Sequence, residues 1–165
     1  MPEVHGIAVR LLYLTGVRVR DVLRLEWHQV DFEAGTVTFW IAKTQQELTQ
    51  PMIGPVRAVL ERLWQRRAEV AKDTERICER VFVNDTGKPF TYGMLRHPWE
   101  RARTPDTFRL HDCRAACASN LSNAQVSSLA AMGWTSHASL AAHERYITGT
   151  LEAVAQQYET WLASQ

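Results

Sequence analysis

The chain has 165 residues, 45% hydrophobic, 22% charged and 9% aromatic, which fits one globular domain able to bury an ordinary core without disulfide staples. Nineteen basic residues against eighteen acidic leave a net charge of +1, so bulk charge does not mark it as a nucleic-acid binder. No apolar run approaches the ~18 residues a membrane helix needs, and Met1-Pro2-Glu3-Val4-His5-Gly6 lacks the basic lead and apolar stretch of a signal peptide.

The chain opens on a dense apolar run, Ile7, Val9, Leu11, Leu12 and Leu14, which predicts a largely buried helix stopped at Thr15-Gly16. Val19, Val22, Leu23 and Leu25 predict a second, short helix. The period then changes. Thr36 to Ile41 is rich in β-branched and aromatic residues behind the Ala34-Gly35 turn. Leu48 to Ile53 is its expected hairpin partner, with Lys43 near the tip of a polar connection over 43–47, and Val30-Asp31-Phe32 is a possible third strand.

From Pro55 the pattern is helical again. Val56, Val59, Leu60, Leu63 and Trp64 are expected on the buried face, and Arg57, Glu61, Arg62, Arg66 and Arg67 on the wet one. Val81-Phe82-Val83 reads as a short buried extended piece and Asn84-Asp85-Thr86-Gly87 as a turn. Helices are expected over about 91–103, 111–122, 125–132, 137–146 and 150–163. With no repeat or linker, the expectation is one domain over 1–165, α+β in class, mainly α-helical with a small three-stranded antiparallel sheet.

The odd cysteine count, Cys78, Cys113 and Cys117, suits a reducing cytoplasm better than a disulfide framework. The basic charge is uneven. Residues 88–114 carry Lys88 and five arginines against three acids, whereas 115–165 carry only Arg145 against Glu144, Glu152 and Glu159. Arginine is the planar donor suited to phosphate.

Singly, the polar residues have ordinary readings. Arg18 is a surface arginine, Lys43 a solvated loop lysine, and His111 with Arg114 a cap and a salt bridge. In order, they form a pattern. Thr15-Gly16-Val17-Arg18-Val19-Arg20-Asp21 comes first, then a hairpin with Lys43-Thr44. His111-Asp112-Cys113-Arg114 opens a helix, and His137 stands nine residues before Tyr146. This resembles the catalytic domain of the tyrosine recombinase (phage integrase) family over about residues 7–150. The family pattern is a T-G-x-R box, a hairpin lysine, H-x-x-R, and a histidine or tryptophan nine residues before a nucleophilic tyrosine.

The resemblance implies the tyrosine recombinase fold and a role for each residue. Arg18 and Arg114 would grip the scissile phosphate, and Lys43 would protonate the leaving 5′ oxygen. These three would contact DNA. His111 would assist proton transfer, His137 would hydrogen-bond the phosphate, and Tyr146 would be the nucleophile. Asp21, where the family has Glu, would orient Arg18. Trp134 lies twelve residues before Tyr146 and is read as packing beside the site. His143 is read as incidental.

The chemistry is consistent on its own terms. A phosphodiester under attack gains negative charge that fixed guanidinium forks stabilise. A phenol of pKa about 10 needs nearby cations to ionise. The alkoxide leaving group needs a proton donor. Neither cofactor nor metal is expected: Cys113 and Cys117 lack a second ligand pair for zinc.

The resemblance also implies double-stranded DNA as partner, and other protomers in a tetramer on it. The 150–165 helix would pack on its own domain or anchor a neighbour through Trp161 and Leu162. It implies a cytoplasmic protein of bacterial or phage origin. Family members carry a helical DNA-binding domain ahead of this region, and Met1 stands only about fourteen residues before Thr15. The expectation is therefore a chain without that domain, binding DNA weakly and with strong salt dependence. The alternatives are an inactive DNA-binding or regulatory remnant, and a type IB topoisomerase-like enzyme.

Overall fold

Helix α1 (Glu3–Thr15) runs through the middle of the molecule, packed against α3 (Gly54–Thr74), α4 (Tyr92–Ala102) and α5 (Asp112–Asn123). Its Ala8, Leu11, Leu12 and Leu14 are almost fully buried, as so dense an apolar run requires. The computed structural model describes residues 3–102, 108–135 and 147–165. The expected 137–146 helix, and with it His137, His143 and Tyr146, lies outside the described residues.

After α1 comes a short α2 (Val19–Val22), which ends earlier than its apolar spacing predicts: the Arg24 and Leu25 amides turn to the carbonyls three residues back, and the Leu25 carbonyl accepts the Val81 amide. A 3₁₀ turn (Trp27–Gln29) leads into the sheet, β1 (Val30–Asp31), β2 (Thr36–Ile41) and β3 (Gln46–Pro51), antiparallel in the order β1-β2-β3. The hairpin is tighter than expected. Ile41 pairs with Gln46, and residues 42–45 make the turn. Gln45 takes φ 54° and returns its amide to the Ile41 carbonyl at 2.9 Å, so the strands close two residues sooner than the polar run suggested. Val37, Phe39, Ile41 and Leu48 face the core.

Two expectations for α3 are corrected. Trp64 is 47% exposed, edge-on to Trp27 and under the Arg67 guanidinium. Arg66, expected in water, is buried. Its guanidinium donates to the Val83 carbonyl at 3.0 Å and pairs with Asp85. The extended 81–83 piece offers a carbonyl within reach, so the charge is satisfied while the stem packs.

Helices α6 (Ser128–Trp134) and α7 (Ile147–Ala163) complete the fold. Ser127 caps α6 by accepting the Ala130 amide. Helix α7 packs on α5, α6 and β3 of its own chain. Leu151, Val154, Ala155 and Tyr158 are buried there, and Trp161 and Leu162 are partly covered. Glu159 accepts the Gly54 amide at the start of α3. The helix thus packs on its own domain. Among the described residues, no helix is long and apolar enough to cross a membrane.

Candidate active site

The site is built around the end of α1. Thr15, fully buried, donates its hydroxyl to the Leu11 carbonyl at 2.7 Å and accepts the Val17 amide at 3.4 Å. The side chain thereby satisfies both sides of the helix end. Gly16 adopts φ +64° and returns its amide to Leu12. A Cβ there would lie 2.7 Å from Thr135 Cγ2 and 3.1 Å from Cys117 Sγ. Glycine is needed both for the left-handed backbone and for this approach.

The Gly16 carbonyl then accepts Arg114 Nη1 at 2.9 Å, joining residues 98 positions apart. Arg114 rises from the first turn of α5 into the core and is 5% exposed. Its pKa is pushed down to about 10, first by burial and then by the positive charge of Arg18, with the Asp21 carboxylate among the groups opposing. The two guanidinium groups expected to share a phosphate are therefore close enough to repel. Arg18 Nη1 is buried with no hydrogen-bond partner among the described residues. A buried donor beside a second buried cation is suited to an anion.

Asp21 is 4% exposed, but no hydrogen bond joins it to Arg18. Its Oδ1 accepts the Ala42 amide at 3.4 Å, and its Oδ2 has no partner among the described residues. The carboxylate reaches the hairpin instead, tying the residue before Lys43 to the helix that follows Arg18. Lys43 itself is exposed in the four-residue turn. His111 is the exposed residue at the N-cap of α5, with no side-chain capping bond. It stands at the rim while Arg114 fills the interior. Cys113, between them, is buried, and burial lifts its thiol to about 11.

Trp134 is fully buried and edge-on to Tyr158. Gln50, which the sequence reading passed over, is 1% exposed. Its Nε2 donates to the Thr15 carbonyl at 3.1 Å and to the Trp134 carbonyl at 2.6 Å. The signal was present: on β3 the inward positions are Leu48 and Gln50, and a polar side chain at an inward strand position needs a partner.

A sequence profile of the phage integrase family matches residues 2–152. The chain belongs to that family. No curated protein matches its sequence directly. Solved structures do match in fold. A lambda integrase tetramer bound to a Holliday junction has a TM-score of 0.65 and 20% identity, covering 84% of this chain and 42% of that one. XerA recombinase has a TM-score of 0.68 and 18% identity, covering 94% and 58%. The Tn1549 transposon integrase in complex with circular intermediate DNA has a TM-score of 0.60 and 18% identity, covering 92% and 57%. The chain thus spans about half the length of the structures it matches. Its mainly helical fold with a small antiparallel sheet is that of tyrosine recombinase catalytic domains.

Proposed function

We propose that this chain is the catalytic domain of a site-specific DNA recombinase or integrase, working in the cytoplasm of a bacterial or phage-infected cell. The Tyr146 phenol oxygen attacks a backbone phosphorus of double-stranded DNA and forms a 3′-phosphotyrosyl bond. The bond from phosphorus to the 5′ oxygen breaks. Arg18 and Arg114 hold the non-bridging oxygens, and His137 hydrogen-bonds one of them. Lys43 gives its proton to the leaving 5′ oxygen, and His111 assists proton transfer by taking up the phenol proton. A 5′ hydroxyl from another strand reverses the step. Because the covalent link conserves the bond energy, rejoining needs no nucleotide cofactor. Partner protomers on the same DNA supply the other strands.

The observation that carries this reading is that Arg114 bonds the Gly16 carbonyl, two residues before Arg18, whose buried Nη1 has no hydrogen-bond partner among the described residues. Near-zero net charge leaves affinity to these local contacts, so DNA binding by this chain should be weak and fall steeply with salt. A nicked suicide substrate, which traps the covalent intermediate, tests the reading. Wild type should give a protein–DNA adduct, Tyr146→Phe none, and Arg114→Ala almost none. An adduct that persists in Tyr146→Phe overturns the nucleophile.

A further inference from the structure

We propose that Gln50 is a positioning residue for the reaction, one amide that ties the turn before Arg18 to the C-terminal end of α6. The proposal rests on the recombinase reading above. Thr15 and Trp134 are the last residues of α1 and α6, and terminal helix carbonyls have no partner within their own helix. Gln50 Nε2 reaches both. A primary amide nitrogen carries two hydrogens without charge, so one atom can join two carbonyls. The amide orientation follows from chemistry, because its oxygen could not face two carbonyl oxygens.

What lies beyond each carbonyl gives the bridge its meaning. Past Thr15 come Gly16, whose carbonyl accepts Arg114, and then Arg18. Past Trp134 come Thr135, packed against Gly16, and the stretch that leads to His137 and Tyr146. Gln50 itself sits on β3, whose partner β2 runs into the Lys43 turn. The arginine turn, the Lys43 hairpin and the end of α6 are thus referred to one side chain. Gln50 Oε1 is buried with no hydrogen-bond partner among the described residues, and burying an unpaired oxygen is unfavourable. An apolar residue of this size would bury no unpaired oxygen but would leave both carbonyls without a donor, so the amide serves the two helix ends it joins.

The test is single-turnover cleavage of the nicked substrate at saturating DNA by wild type, Gln50→Met and Gln50→Glu. Both variants keep the side chain's length and lose the double donor. Gln50→Met should melt cooperatively and bind DNA within about twofold of wild type, whereas Gln50→Glu, which turns a carboxylate oxygen toward both carbonyls, should be less stable. Each should cleave about tenfold to a hundredfold more slowly, the scale expected from a small misplacement of reacting groups. A folded Gln50→Met that cleaves at the wild-type rate overturns this proposal and leaves the recombinase reading standing. A rate loss matched by an equal loss of DNA affinity also overturns it, in favour of a general structural role. No adduct from wild type overturns both. Should neither variant fold, exchange of the Gln50 side-chain amide protons by NMR decides: slow exchange of both supports the bridge, and exchange as fast as that of exposed Gln45 overturns it.

Discussion

Arg66 and Arg114 are both nearly buried, at 8% and 5% exposure, yet their surroundings treat them differently. Arg66 is given the Val83 carbonyl and the Asp85 carboxylate. Arg114 is tied to the Gly16 carbonyl and set close to a second cation, Arg18. A buried cation matched by a carboxylate serves the fold. A buried cation placed beside a like charge raises the free energy of the folded state, and its position makes sense when an anion is received there.

Substituting each arginine by methionine breaks or confirms this contrast. Arg114→Met should lower the adduct rate at least about a thousandfold, the scale of losing a charged donor to the transition state. Its stability is read alongside by urea denaturation, and the rate is compared per folded molecule. Arg66→Met should cost about 2 kcal/mol in urea denaturation, leaving a buried carbonyl unpaired. The adduct rate per folded molecule should be unchanged. The reverse pattern would mean that Arg114 is the structural residue.

Gly16→Ala sharpens the comparison at the backbone that receives Arg114. Strain at φ +64° and overlap with Thr135 and Cys117 should together cost about 2–3 kcal/mol. A Thr135→Ser background, which removes the overlapping methyl, should recover part of that loss in the same denaturation experiment.

Much of this arrangement was legible in the residue order. Thr15-Gly16 marks a helix stop by chemistry alone, and Lys43 falls on a hairpin because Thr36–Ile41 is unmistakably strand-like. Arg18, His111 and Arg114 stand out as candidates only as an ordered set, since each alone has an ordinary reading. Arg66 was misread because helical spacing reports the face a residue occupies and not whether a distant carbonyl waits there. Asp21 was expected to serve Arg18; its bond to Ala42 depends on where the hairpin folds back, a long-range fact that no local spacing encodes. Gln50 was missed for the same reason, as both of its acceptors are backbone carbonyls.

The smallest expected effect concerns the apolar side of the site. Burial lifts the thiols of Cys113 and Cys117 from an ordinary 9.0 to about 11 and about 12. The folded state therefore keeps protons that the unfolded state releases. This contribution is fully present at pH 7, begins to fall as pH approaches the unfolded value of 9.0 and is lost as pH rises through about 11 and about 12. Going from pH 7 to 9 should lower stability by about 1 kcal/mol, and a double Cys→Ala variant should lose that slope. An unchanged slope in the variant would assign the effect to other groups.

The central claim, that Arg18 and Arg114 hold one phosphate, is tested most directly by a double-mutant cycle on the adduct rate. Arg18→Ala, Arg114→Ala and the double variant are compared under single turnover with saturating nicked DNA. Two forks on one anion act as a unit, so the double variant should be little slower than the worse single variant. Losses that simply multiply would show two independent sites and contradict the account.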